Sequence, residues 1–143
     1  MRNYVEAEEI SLVYSGSNYF EVLHRIIDES RETLHLQTYI FECDETGKKV
    51  LAALRRASGR GVHVYLMIDA YASFPFSQAE VKLLREAGVN FRTFSPLLSR
   101  ESIYIARRMH HKIVVADKRV GLIGGINIAN KYNTQYGGFA WLD

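Results

Sequence analysis

A single cysteine, Cys43, leaves this 143-residue chain without a partner for an internal disulfide and gives no basis for a thiolate metal cluster. No apolar run approaches the roughly 20 residues that span a bilayer. The opening MRNYVEAEEI has neither the basic end nor the apolar stretch of a signal peptide, so this stretch is expected to be soluble as it stands. An excess of one charge is also missing: 18 Lys and Arg against 16 Asp and Glu give +2, too small a bias to indicate a partner. There is no low-complexity linker and no internal repeat, so nothing marks a second domain. No G-x-x-x-x-G-K-[ST] loop exists, and Gly121, Gly124 and Gly125 do not form G-x-G-x-x-G, so simple nucleotide-binding folds lose ground.

What is present is enough for one ordinary hydrophobic core, with 48% apolar and 24% charged residues. Acids concentrate between residues 6 and 45. Arg100, Arg107, Arg108, Lys112, Lys118 and Arg119 gather between 100 and 119, opposed only by Glu101 and Asp117. That stretch reads either as a solvated loop or as a local anion site.

Glycine and proline divide the chain into short elements. Residues 10–14 suggest a brief strand. Phe20, Leu23 and Ile27 fall at helical spacing over 19–30, with Asn18 and Glu21 placed for a capping box. The β-branched and aromatic run 33–41 predicts a buried strand. Val50, Leu54 and Ala57 form one face of a helix over 46–58, stopped by Gly59-Arg60-Gly61. The pattern repeats with a strand over 62–69, a helix over 78–87 after Pro75 and Ser77, and a strand over 89–94. Residues 95–106 read as a loop, with IYIA as its one strand-like piece. Runs 112–116 and 120–123 form a hairpin around Asp117-Lys118-Arg119, and 127–132 predicts a short helix. Strands alternating with helices imply an α/β fold: a mixed, largely parallel sheet flanked by helices on both faces.

Apolar strands seldom begin with histidines and a lysine, yet RRMHHK runs directly into IVVA. On an extended strand His110 and Lys112 share a face and His111 points away, which suits His111 to packing or support. A neutral imidazole attacks phosphorus, and an ammonium beside it offsets the charge that develops there. The plain alternative is a solvent-facing strand end. Gln37 and Tyr39 would share a face of the second strand, and Tyr39, Asp69 and Tyr71 sit near the carboxyl ends of parallel strands, where ligands gather. Asp69 reads more simply as an acidic turn, Tyr39 as a packed aromatic, and Cys43 as an apolar filler. Arg107 and Arg108 are candidate neighbours of a substrate phosphate. The five histidines, at 24, 35, 63, 110 and 111, show no H-E-x-x-H spacing. No metal and no cofactor is expected.

His110-x-Lys112, four residues, Asp117, six residues, then Gly124-Gly125-x-Asn127 resembles the H-x-K-x(4)-D-x(6)-G-[GS]-x-N signature of the phospholipase D superfamily, the HKD motif. Beyond it, LHLQTYIF, the D-x-x-G of Asp44 to Gly47, ALRRASGRGVHVYLMIDAY, LLREAGVNFRTFSP and GGINIANKY are similar to the amino-terminal catalytic half of bacterial cardiolipin synthases. Met109 stands where that branch commonly has Asn or Leu.

The resemblance implies a two-step transfer through a phosphohistidine. His110 would be the nucleophile or its partner acid, and Lys112 and Asn127 would hold phosphate oxygens. Gly124 and Gly125 would let the backbone pass close beneath the phosphate, and Asp117 would act mainly by holding its surroundings. One motif supplies one histidine where two are needed, so a second HKD half or a homodimer partner is implied. The chain ends at Gly138 to Asp143, where the family has a W-x-D segment opening a further strand and helix. Residues 1–143 are therefore expected to be one incomplete catalytic domain of a parent at the bacterial cytoplasmic membrane. The implied reaction joins two phosphatidylglycerols into cardiolipin and releases glycerol. The alternative is a homodimeric single-motif nuclease or phosphodiesterase acting on nucleic acid, and a third is a silent binding module.

Overall fold

Helix α1 (Gly16–Glu29) buries the stripe Tyr19, Phe20, Leu23, Ile26 and Ile27 that its sequence spacing predicts. It begins three residues earlier than expected, because Gly16 packs so closely on the backbone of Tyr132 that a β-carbon there would overlap the Tyr132 carbonyl oxygen. The Ser17 N–H also donates to Thr134 Oγ1 (3.2 Å). Asn18 consequently lies inside the first turn, and the Asn18–Glu21 capping box does not form. This computed structural model describes residues 6–14, 16–94 and 108–138. The expected loop over 95–106, Arg107, and Phe139 to Asp143 lie outside them.

Strands β1 (Thr33–Thr38), β2 (His63–Asp69) and β3 (Asn90–Phe94) are parallel and linked by α2 (Glu45–Gly59) and α3 (Gln78–Glu86). Asp44 caps α2 by accepting the Gly47 N–H (3.0 Å), and Ser77 caps α3 by accepting the Glu80 N–H (3.4 Å). Glu80, placed three residues after Ser77 as a capping box requires, does not complete one, because its carboxylate is held by Arg55 (2.8 Å). Strands β4 (Ile113–Ala116) and β5 (Val120–Ile123) form the expected hairpin, and β4 runs antiparallel to β1. The five-stranded order is β3-β2-β1-β4-β5, a mixed α/β sheet. Two 3₁₀ turns (Asn130–Tyr132 and Thr134–Tyr136) replace the short helix expected over 127–132. Residues 10–14 form no strand: Ile10, Leu12 and Tyr14 are exposed, and only Val13 packs on the core.

Leu34, Leu36, Val64, Leu66, Ile68, Val114 and Ala116 lie on one face of the sheet and are almost fully buried. Each large aliphatic side chain among them contributes about 1.5–3 kcal/mol. Helix α1 packs on α2, and α2 on α3, so among the described residues the helices cover this face alone. The sequence suggested helices on both faces. The difference follows from handedness: two right-handed crossovers that step the same way along a sheet place both helices on one side. His35, Tyr65, Asn90 and Arg92 line a shallow depression on the other face, where the rings of His35 and Tyr65 stack at 4.6 Å.

The hairpin turn anchors the far end of the sheet. Asp117 and Lys118 both have positive φ (53° and 57°), the type I′ pattern, and the Arg119 N–H closes the turn on the Ala116 carbonyl (3.0 Å). The Asp117 carboxylate accepts the N–H groups of Arg31 (2.9 Å), Glu32 (2.8 Å) and Thr33 (2.9 Å). Those bonds, Thr33 foremost, hold its pKa below the usual carboxylate value.

Asp117→Asn turns one acceptor into a donor facing an N–H, and should cost on the order of 1–2 kcal/mol in urea unfolding near neutral pH. Because the folded pKa is depressed, Asp117 contributes its stability fully above the unfolded value of about 3.9, and loses it as pH falls through the folded value. The acid-side decline should therefore be shallower in Asp117→Asn; parallel pH profiles would refute this account. Lys118→Gly relieves a left-handed lysine and should raise Tm by roughly 2–4 °C, read by thermal circular dichroism.

Candidate active site

The motif histidine and lysine lie just before β4, in a lead-in rather than in the strand itself. Since Ile113 pairs with Gln37, that lead-in lies beyond the carboxyl end of β1, where the sequence expects a ligand site. The expected common facing of the two side chains holds. The Lys112 ammonium donates to the His110 carbonyl (2.9 Å), and both groups converge on Tyr39. The His110 ring stacks on Tyr39 with centroids 4.0 Å apart and planes inclined by 23°. Lys112 Nζ is 5.6 Å from the centroid of the same ring. His110 is exposed and Lys112 half-buried. An accessible imidazole is thus held against an aromatic face with an ammonium on the same side.

Asn127 is buried, and its Oδ1 accepts the Ile40 N–H (3.0 Å). With the oxygen engaged, Nδ2 is the part of the amide left to donate to an anionic oxygen. The Ile128 N–H donates to the Ile40 carbonyl (3.1 Å) and the Glu42 N–H to the Ile128 carbonyl (2.9 Å), which seats 127–128 alongside 40–42. The exposed Gly124 and Gly125 lie between this segment and β5, and the Gly124 N–H reaches the Lys112 carbonyl (3.3 Å). His110, Lys112, the two glycines and Asn127 are therefore gathered at one end of the sheet. Asp117 is not: β4 separates it from His110, and it holds backbone at the opposite end. His111 is exposed, so it is no core residue.

Three residues matter more than their sequence positions suggested. Tyr39, read as a packed aromatic, is the platform under His110. Asp69, read as an acidic turn, does form one: Oδ1 accepts the N–H groups of Tyr71 and Ala72 (both 3.0 Å). It is also fully buried, and Oδ2 accepts the Met109 N–H (3.1 Å) immediately before His110. Buried Ser73 bridges Tyr39 and Phe41, donating to the Tyr39 carbonyl and accepting the Phe41 N–H (both 3.0 Å). Placement at strand ends was the available signal for Tyr39 and Asp69; nothing in the sequence marked Ser73. Arg108, a candidate phosphate neighbour, stacks over Tyr71 with its guanidinium carbon 4.5 Å from the ring centroid.

The D-x-x-G segment folds onto the residues after the motif. The second carboxylate oxygen of Asp44 accepts the Asn130 N–H (2.6 Å), Asn130 Oδ1 accepts the Thr46 N–H (2.9 Å), and Lys131 pairs with Glu42 (2.7 Å). Gly47 is required there, since a β-carbon would overlap the Glu42 carbonyl oxygen. Cys43 is half-buried against the core, and burial pushes its thiol pKa up, away from thiolate reactivity. Among the described residues no three His, Cys, Asp or Glu side chains are grouped to hold a metal ion.

Residues 23–136 match the family described as "Cardiolipin synthase, PLD-like domain". Cardiolipin synthase B of Salmonella typhi is 38% identical over 136 residues, covering 92% of this chain and 32% of that protein. A cardiolipin synthase from a Geobacillus species is 35% identical over 140 residues, covering 96% of this chain and 28% of that protein. The chain thus spans about a third of the length of these curated relatives. Two solved structures share its fold at low identity. Phosphatidylserine synthase of Haemophilus influenzae has a TM-score of 0.72 and 20% identity, over 92% of this chain and 31% of that one. NucT from Helicobacter pylori has a TM-score of 0.65 and 18% identity, over 82% of this chain and 71% of that one. On the match across 23–136, with the motif residues gathered at one sheet end, the chain belongs to the PLD-like domain family of cardiolipin synthases.

Proposed function

We propose that this chain forms one catalytic half of a phospholipase D-type phosphatidyltransferase that makes cardiolipin from phosphatidylglycerol. The observation that carries the reading is the accessible His110 ring on Tyr39 with the Lys112 ammonium on the same side. A ring nitrogen of His110 attacks the phosphorus of one phosphatidylglycerol. The N–P bond forms, the bond from phosphorus to the glycerol headgroup breaks, and a histidine of a second half gives the departing glycerol its proton. That histidine then takes the proton from a hydroxyl of a second phosphatidylglycerol. The oxygen attacks phosphorus, the N–P bond breaks, and His110 returns to its starting form. Lys112 Nζ and Asn127 Nδ2 hold the non-bridging oxygens throughout, where each offsets charge. Gly124 and Gly125 leave room for the phosphate, and Asp117 supports the sheet that carries the site rather than touching substrate.

The need for a second histidine makes the working unit a pair of halves, supplied by a second HKD half of a longer parent or by a homodimer. Among the described residues no helix is long and apolar enough to cross a membrane. In this reading the lipid substrate brings the working enzyme to a bacterial membrane surface. The basic segment 100–119 favours one alternative, a homodimeric phosphodiesterase acting on nucleic acid.

Phosphatidylglycerol and single-stranded DNA offered side by side separate the two readings. The expected result is lipid turnover that rises more than linearly with protein concentration, and a phosphatidyl adduct on His110 in intact-mass spectra. Both should be absent from His110→Ala. DNA cleavage without lipid turnover would establish the alternative, and full turnover by a monodisperse monomer would remove the paired-half mechanism. Tyr39→Phe keeps the stacked platform and should retain most of the adduct-forming rate. Tyr39→Ala frees the ring and should lower that rate by roughly 10-fold or more. Equal rates for the two variants would show that Tyr39 does not orient His110.

A further inference from the structure

The loop at the end of β2 holds His110 from two sides. On the backbone side, Asp69 Oδ2 accepts the N–H of Met109, a residue only 4% exposed, so the position before the histidine is held by a hydrogen bond and by burial. On the ring side, Ser73 ties the backbone on both sides of Ile40, and this presents Tyr39 to the His110 ring. The Ser73 N–H in turn donates to the Asp69 carbonyl (3.1 Å), and Asp69 Oδ1 sets the Tyr71–Ala72 turn between them. Both contacts that locate the imidazole therefore start from a single residue. Three N–H groups need three acceptor sites on two oxygens, which a carboxylate provides and a carboxamide does not. That need accounts for a fully buried acid whose bonds, among the described residues, go to backbone N–H groups rather than to a cation.

We propose that Asp69 is the positioning residue for His110, acting on its backbone through Met109 and on its ring through Ser73 and Tyr39. The inference rests on the reading of His110 as the attacking group. It extends that reading to a residue outside the motif that touches no substrate.

Asp69→Asn tests it selectively. The remaining carbonyl oxygen keeps the two turn bonds by facing Tyr71 and Ala72, and the new NH₂ then faces the Met109 N–H. Amide exchange at Met109 should speed up by roughly 10-fold or more while Tyr71 and Ala72 stay protected, since one local bond is lost and the fold remains. The phosphatidyl–His110 adduct should form roughly 10- to 100-fold more slowly, as expected when a reacting group moves by about 1 Å. The lipid concentration giving half the maximal rate should change little, because Lys112 and Asn127 are untouched. Ser73→Ala is the second variant. It should reduce the ring-current shift of the His110 ring protons while leaving Met109 protected. Unchanged exchange at Met109 in Asp69→Asn, or a loss of protection spread evenly over the sheet, would overturn the proposal. So would a His110 ring shift indifferent to Ser73→Ala. If no adduct forms even in the unaltered chain, the functional reading fails, and the exchange and ring-shift measurements still decide whether Asp69 positions His110.

Discussion

Everything at the candidate site depends on how three residues past the end of β1 are held. Beyond Thr38 the strand loses its neighbours, yet the backbone of 39–41 is bound from three directions. Ser73 takes the Tyr39 carbonyl and the Phe41 N–H, Asn127 takes the Ile40 N–H, and Ile128 takes the Ile40 carbonyl. Buried backbone groups left unpaired cost about as much as a lost hydrogen bond each, so this short segment has little freedom to relax. Tyr39 inherits its orientation from that segment, and His110 takes its orientation from Tyr39. The strand end thus satisfies its polar groups with two side chains, Ser73 and Asn127, and with the backbone of Ile128.

Negative and positive charge have separate duties in this arrangement. Asp117, Asp69 and Asp44 each direct their oxygens at backbone N–H groups and join segments distant in sequence. Hydrogen bonds to a charged acceptor are stronger than neutral ones, which suits them to joints between secondary-structure elements. The cations near the site, Lys112 and Arg108, stand instead over aromatic rings at the exposed end. In the proposed reading an anionic substrate approaching that end meets positive charge, while the acids behind it are engaged in holding the frame.

Much of the fold was legible in the chain. The buried stripes of α1 and α2, the start of α3 just after Ser77 and the alternation of strand and helix all follow from local spacing, and they survive with shifts of a residue or a few. The motif itself stood out because its residue types and fixed intervals conflict with an ordinary apolar strand. Several features were not legible. The start of α1 is set by Gly16 against Tyr132, a contact across more than a hundred residues. Residues 10–14 look strand-like but join no described strand. The covering of the sheet depends on the direction of successive crossovers, and composition cannot reveal that direction.

The sequence by itself determined the α/β class and the chemistry on offer: a histidine, a lysine and an asparagine at intervals that suit phosphoryl transfer. These follow from periodicity and from side-chain type, which are local properties. Only the tertiary structure decided which acids serve the site and which hold the sheet. Asp117 lies within the motif yet acts at the opposite end of β4, whereas Asp69, forty residues before Met109, reaches the residue beside His110. Distance along the chain and distance in space part company wherever strands reverse or cross over, and a hydrogen bond responds only to the second.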